Sequence, residues 1–295
     1  MIPWLDVSRL SIATAAGTIE AALRAGLDPE AGPPRVSVEV PGGELLLMPA
    51  SGNMYAGVKV VSIAPDNPAR GLPRIQGTYL LFHGESLAPL AICDGADLTS
   101  VRTPAVSAVA IKQLTPDAPL RTVVYGTGPQ AWGHVRATAA FRRIQRLAVF
   151  GRDRARTEAF ASRCRAIGVP AATGDDDAVR DADLILCCTT ATRPLFDGRW
   201  PPERATVVAI GSHRPGMREV DDLYVRRAVL TVEARTAATR EAGELIGIDP
   251  TRLTNLAELL RHRPEPGRPR LFKSVGMAWE DLVVAAAAYE HGTAQ

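Results

Sequence analysis

The first third of the chain alternates between apolar and polar positions. Val36-Ser37-Val38-Glu39-Val40 places an apolar side chain at every second residue, Pro41-Gly42-Gly43 is a turn signal, and Glu44 resumes an extended pattern through Met48. That spacing predicts a hairpin. Residues 55–62, 77–82 and 87–93 read as further strands, with His83-Gly84-Glu85-Ser86 as a tight connection between the last two. Together they imply a meandering mixed or antiparallel sheet. Ahead of them, residues 8–25 have the spacing of an amphipathic helix closed by Gly26.

From residue 120 the rhythm becomes strand, helix, strand. Residues 120–125 form an apolar strand, 130–144 a helix, 147–150 a second strand and 155–167 a helix ending at Gly168; 184–188, 206–210 and 229–232 are short buried strands. Alternation at this spacing requires parallel strands joined by right-handed crossovers, hence a doubly wound α/β sheet. Residues 272–289 read as a strand-like entry and an apolar helix that returns to the first domain, and residues 261–270 (RHRPEPGRPR) read as an exposed loop.

Composition narrows the function classes. The chain has 295 residues, a formal net charge of +2, 46% hydrophobic and 22% charged residues, which describes a folded globular protein without the basic excess of a nucleic-acid binder. Cys93, Cys164, Cys187 and Cys188 are too few and too irregular for a secreted disulfide framework, so they read as small core residues in a reducing, cytoplasmic setting. No CxxC pair is present and the histidines are scattered, so no metal site is expected. Asp6, Arg9 and Glu20 interrupt the N-terminal apolar stretch, and no later run reaches the roughly 18 apolar residues of a membrane span. The expected partners are therefore neither nucleic acid nor membrane.

The most specific local signal is Gly126-Thr127-Gly128-Pro129-Gln130-Ala131, directly after the strand LRTVVY and directly before a helix. This is a GxGxxA dinucleotide fingerprint. Gly126 permits the tight turn, Gly128 lets the backbone approach a pyrophosphate, and Ala131 allows close helix packing. About twenty residues further, where an NAD enzyme usually places an acid against the ribose hydroxyls, the chain reads Gly151-Arg152-Asp153-Arg154. Arg152 would bind a 2′-phosphate, which favours NADPH over NADH; the other reading makes Arg152 a solvated loop residue and lets Asp153 take the ribose. Thr189 and Thr190, and Gly211, Ser212 and His213, follow two later strands, at the carboxyl ends where ligands bind in such sheets.

The first half holds cations that no stripe of surface charge explains. Lys59 lies alone in the uncharged strand YAGVKVVS, where burial is costly without a compensating anion. Arg102, in LTSVRTPA, is expected at a helix start, with Thr99 or Thr103 as cap and Pro104 in the first turn. An arginine beside a helix N-terminus favours a carboxylate ligand. Either cation could equally be a surface side chain that snorkels.

Taken together, these stretches resemble the ornithine cyclodeaminase/mu-crystallin family. The matching residues are Leu47-Met48-Pro49, Gly57-Val58-Lys59-Val60-Val61, Asn67 with Gly71-Leu72-Pro73, Asp94-Gly95 through Leu98-Thr99 and Arg102-Thr103, the Gly126 to Ala131 turn, Gly151-Arg152, and Phe272-Lys273-Ser274-Val275-Gly276 with Asp281. The resemblance implies a Rossmann-type NAD(P)-binding domain, residues 116–271. It also implies an α+β domain for substrate binding and dimerisation, residues 1–115, to which 272–295 return, and hence a homodimer. It places the three substrate-carboxylate ligands on Arg35, Lys59 and Arg102. It extends the cofactor side to Thr103, Arg154, Lys273 and Gly276.

Two departures from the family pattern matter. Cyclodeaminases of this family carry a Glu before Leu-Met-Pro and an Asp in the loop that here reads Gly211-Ser-His-Arg-Pro-Gly216; this chain has Leu46 and His213. Without both acids, cyclodeamination lacks its base and amine anchor. The expected activity is therefore NADPH-dependent reduction of a cyclic 2-imino acid, with Lys59 and His213 as candidate catalytic groups. The alternatives are an ornithine or lysine cyclodeaminase, an alanine or N-alkyl amino-acid dehydrogenase, and a mu-crystallin-like NADPH-dependent ligand binder without turnover.

Overall fold

The computed structural model describes residues 2–212 and 214–293. The chain divides into two units, residues 1–105 with 277–295, and residues 106–276. The divisions fall inside one long helix and just before the last one, whereas the sequence reading set them near residues 115 and 271.

The first unit opens with α1 (Ile12–Arg24), whose N-cap Ser11 accepts a hydrogen bond from the Thr14 N–H and whose end is followed by Gly26 in the left-handed region. Five strands follow: β1 (Val36–Val40), β2 (Gly43–Ser51), β3 (Tyr55–Ile63), β4 (Ile75–His83) and β5 (Pro89–Asp94). They form a purely antiparallel meander in sequential order. The hairpin turn requires glycine at 43, because φ is +143° and a Cβ there would sit 2.0 Å from the Ile63 carbonyl oxygen.

Asp94 ends β5 and caps the next element, accepting hydrogen bonds from the N–H groups of Ala96 and Asp97. Helix α2 (Gly95–Leu114) therefore starts at Gly95, and Arg102, Thr103 and Pro104 lie in its body. The sequence reading of a start near Arg102 is corrected: the Asp94 cap begins the helix earlier, and Pro104 is an interior proline. The last helix, α9 (Ala278–Thr293), packs against α1, β2, β3 and β4 within this unit.

The second unit alternates as the sequence predicts. It contains β6 (Leu120–Tyr125), α3 (Pro129–Phe141), β7 (Ile144–Phe150), α4 (Arg154–Ala166), β8 (Ala171–Thr173), α5 (Asp176–Arg180), β9 (Leu184–Cys187) and β10 (Thr206–Ala209). It continues with α6 (Asp222–Arg227), β11 (Val229–Val232), α7 (Arg235–Glu241), β12 (Leu253–Asn255), α8 (Leu256–Arg261) and β13 (Arg270–Lys273). The first helix is shorter than expected: it ends at Phe141, and Ile144 opens β7 as a buried strand residue.

All eight strands are parallel, in the order β12-β11-β13-β10-β9-β6-β7-β8. From β6 the chain runs outward through β7 and β8, then returns to β9 on the other side, so the order reverses between β6 and β9. Ligands of doubly wound sheets bind outside the carboxyl ends at that switch point. No helix among the described residues is long and apolar enough to cross a membrane.

Candidate functional site

In the antiparallel sheet, Met48, Lys59, Tyr79 and Cys93 are consecutive cross-strand partners and therefore share one face. All four are buried. The Lys59 ammonium lies 2.8 Å from one oxygen of Asp281 and donates to the other at 2.9 Å. Arg102 donates through Nε to Asp281 at 3.1 Å and through Nη1 to Glu280 at 2.8 Å. Two cations thus meet two carboxylates from the first turn of α9, and all four side chains are buried.

Burial lowers the Lys59 pKa to about 8, with Asp281 opposing the fall and Arg102 reinforcing it. The Tyr79 hydroxyl is also buried on this row and makes no hydrogen bond among the described residues. Gly57 makes room for it: a Cβ at 57 would sit 2.1 Å from that hydroxyl.

Lys59 and Arg102 are thus brought together, through an anion. Arg35 stands one residue before the first β1–β2 partner, Val36 with Leu47, at the end of the same row and half-buried. Thr103 is buried, with a hydroxyl that has no hydrogen-bond partner among the described residues. Its position inside α2 removes the capping role. His213 lies outside the described residues.

In the parallel sheet, Gly126 follows β6 with φ +111°, and a Cβ there would sit 2.4 Å from the Cys188 carbonyl oxygen beyond β9. Only glycine fits, because the strands on either side of the switch point close to contact there. Gly128 is the N-cap of α3, with Pro129 in the first turn; Gln130 follows, and Ala131 is buried. A Cβ on Gly128 would meet no protein atom. Internal packing therefore does not require glycine at 128, which leaves the helix N-terminus and its N–H groups open to an anionic group. This cradle, at the switch point, fits a dinucleotide pyrophosphate, and Thr127 packs beside Gly151.

At the end of β7, Arg152 and Arg154 are exposed, while the Asp153 carboxylate accepts the Arg156 N–H at 2.9 Å as the cap of α4. One oxygen of the acid that could face a ribose is thus engaged by its own helix, on an exposed side chain.

The loops after β9 and β10 are held by an acid the sequence did not reveal. The Thr189 N–H and hydroxyl both donate to Glu219, as does the Gly211 N–H. The buried Ser212 hydroxyl donates to Glu244. Thr189, Gly211 and Ser212, expected as direct cofactor contacts, spend these groups on the protein itself; Thr190 is exposed. After β13, Glu233 accepts from the Ser274 hydroxyl and from the N–H groups of Val275 and Gly276. Lys273 is fully buried, 3.8 Å from Glu244. Glu233 carried a sequence signal, a single acid in the apolar stretch Leu-Thr-Val-Glu233-Ala, whereas Glu219, in Met-Arg-Glu-Val-Asp-Asp, carried none.

A doubly wound sheet with a glycine turn and an open helix N-terminus at its switch point defines a nucleotide-binding α/β protein. The antiparallel unit adds a buried cluster in which Lys59 and Arg102 are paired with Asp281 and Glu280. The chain belongs to the ornithine cyclodeaminase/mu-crystallin family, whose model matches residues 6–295. It is 35% identical over 260 residues to Delta(1)-pyrroline-2-carboxylate reductase 2 of Burkholderia ambifaria, covering 87% of this chain and 83% of that protein. It is 33% identical over 234 residues to the ketimine reductase mu-crystallin of Mus musculus, covering 79% and 74% respectively. Among solved structures it is similar to the Thermococcus litoralis Delta(1)-pyrroline-2-carboxylate reductase in complex with NADH and L-proline, with a TM-score of 0.88, 29% identity, and coverage of 97% of this chain and 94% of that one.

Proposed function

We propose that this chain is an NADPH-dependent reductase of cyclic 2-imino acids, converting Delta(1)-pyrroline-2-carboxylate to L-proline or its six-membered homologue to L-pipecolate. The observation that carries this reading is the glycine turn at the switch point, which suits a dinucleotide, on a chain that also gathers Lys59 and Arg102 on Asp281 and Glu280, so a substrate carboxylate would share these cations with the two acids. Lys59 and Arg102 bind the substrate carboxylate by charge-assisted hydrogen bonds, with Arg35 at the end of the row as the third ligand. Bound cofactor supplies the hydride that reduces the C=N carbon.

Reduction also places one proton on the imine nitrogen. Lys59, with a pKa of about 8, is charged at neutral pH yet gives up its proton readily, so it suits both tasks. Leu46 shares the sheet face of Lys59 through its pairing with Val61. An apolar side chain there takes up no proton, which favours imine reduction over cyclodeamination.

Arg152 and Arg154, exposed beside an Asp153 that caps α4 with one oxygen, support NADPH over NADH. On the opposite sheet face, edge strand β1 presents a row of valines, Val36, Val38 and Val40, at 49%, 42% and 37% exposure, which supports a homodimer. Four free cysteines suit a cytoplasmic protein.

The deciding experiment is a spectrophotometric screen of NADPH and NADH oxidation with five- and six-membered cyclic 2-imino acids. NADPH oxidation with either ring is the expected result. Ammonia release from ornithine without imine reduction would overturn the proposal, as would tight NADPH binding with no turnover of any imine.

A further inference from the structure

Glu219 joins two loops through its carboxylate. Its Oε1 accepts the Thr189 N–H and hydroxyl, both at 2.7 Å, and its Oε2 accepts the Gly211 N–H at 2.8 Å. Its own N–H donates to Glu244 Oε1 at 2.9 Å, and Glu244 Oε2 accepts the Ser212 hydroxyl at 2.5 Å. The Lys273 ammonium, fully buried, makes no hydrogen bond among the described residues and stands 3.8 Å from Glu244. The loops approach so closely that a Cβ on Gly211 would sit 1.7 Å from the Thr189 carbonyl oxygen.

We propose that Glu219 is a positioning residue for the nicotinamide half of the cofactor, one carboxylate that fixes the loops after β9 and β10 in a single register. Glu244 anchors the Glu219 backbone N–H, and the buried Lys273 charge favours the ionised Glu219 carboxylate. The inference rests on the dinucleotide reading above. In a doubly wound sheet the two halves of the dinucleotide lie on opposite sides of the switch point. The glycine turn after β6 and the arginines after β7 serve the adenosine side, and the loops after β9 and β10 serve the other.

A buried carboxylate with both oxygens engaged is a stiff joint only while ionised, since protonation removes acceptor capacity from one oxygen. The groups facing Glu219 are Lys273 on β13, Glu244, the Thr189 and Gly211 donors, and the thiols of Cys187 and Cys188. Burial pushes the Glu219 carboxyl up, and Lys273 opposes the rise.

The test compares two probes, NADPH and its adenosine fragment 2′,5′-ADP, by fluorescence titration and calorimetry. Glu219→Gln keeps the shape but replaces one accepting oxygen with an NH2 donor, where a Thr189 or Gly211 donor must be accepted. It is expected to weaken NADPH about tenfold while leaving 2′,5′-ADP unchanged. Wild-type NADPH affinity is expected to fall on acidification and the Glu219→Gln affinity to stay flat, while Lys273→Met moves the wild-type fall to higher pH. Should Glu219→Gln fail to fold, Thr189→Val, which removes only the hydroxyl donor, is read in the same way with a smaller loss. Equal weakening of both probes, or undiminished NADPH affinity, overturns the positioning role. A wild-type chain that binds neither probe overturns the nucleotide reading itself.

Discussion

The Lys59 ammonium on β3 lies 2.8 Å from the Asp281 carboxylate on α9, with side-chain exposures of 2% and 0%. Asp281 also accepts from Arg102, so it compensates two buried cations, whereas Lys59 is one of two that compensate Asp281. That asymmetry orders the cost of removing each partner. Asp281→Ala leaves Lys59 and Arg102 with Glu280 as the remaining anion and is expected to cost about 3–5 kcal/mol. Lys59→Met leaves Asp281 paired with Arg102 and is expected to cost less. Urea unfolding of the two variants checks the order, and equal losses would contradict it.

Lys59 also makes opposite predictions for stability and activity against pH. Folding lowers its pKa from 10.5 to about 8, so between those values the unfolded chain holds more protons than the native one. Its contribution to stability therefore rises with pH across that window. In the proposed role, carboxylate binding and proton donation by Lys59 both need the charged form, so kcat/KM is expected to fall as pH rises through about 8. A bound substrate carboxylate favours the ammonium, which places the matching fall in kcat at higher pH. Lys59→Arg, which stays charged, should lack the alkaline fall in substrate affinity while losing the proton donor. pH–rate profiles and pH-dependent unfolding of wild type and Lys59→Met test both signs.

How much of this was legible in the sequence depends on how local each interaction is. The glycine turn was readable because its requirements lie within a few residues: a strand, a left-handed glycine, a helix N-terminus. The antiparallel meander was readable from period-two alternation. Arg102 was misplaced because Pro104 imitates a first-turn proline, while the true start is set by Asp94 beside Gly95. The partner of Lys59 was out of reach: Asp281 is 222 positions away, and only the packing of α9 on the sheet brings it back. Glu219 and Glu244 were hidden for the same reason, since their partners are loops joined through the sheet order. Helices α5 to α8, of five to seven residues, are too short to show a period.

Cofactor preference should respond to a single charge. Arg152 is exposed at the end of β7 while the neighbouring Asp153 is engaged in capping α4. On the proposed NADPH preference, Arg152→Asp removes a charge-assisted partner of the 2′-phosphate and adds repulsion. The ratio of NADPH to NADH affinity is expected to fall at least tenfold, on the order of the value of one such bond. Dissociation constants measured for both cofactors check this, and an unchanged ratio would leave Arg152 without a role in selection.

The apolar face of the antiparallel sheet makes a prediction about assembly. Val38 lies at the middle of edge strand β1, between Val36 and Val40, opposite Leu45 of β2. In a two-fold dimer the same patch meets itself, so one substitution acts twice. Val38→Asp is expected to weaken the dimer by roughly 100-fold, because two uncompensated carboxylates would be buried. Sedimentation equilibrium reads the shift, with NADPH binding to the second unit as the control that the chain is folded.

The two glycines of the turn separate folding from binding. At Gly126 the left-handed backbone and the Cys188 carbonyl oxygen 2.4 Å from a Cβ forbid any side chain, so Gly126→Ala is expected to cost roughly 2–4 kcal/mol of stability. At Gly128 the backbone is extended, with φ −87° and ψ −176°, and a Cβ meets nothing. Gly128→Val should therefore lose only about 1 kcal/mol, from a poorer N-cap. Its branched side chain would stand over the open N–H groups of α3, where a pyrophosphate must approach, and NADPH affinity is expected to fall at least about 100-fold. Thermal unfolding and NADPH titration of the pair give the contrast. A Gly128→Val variant that folds and still binds NADPH as wild type does would show that the phosphates do not rest on this turn.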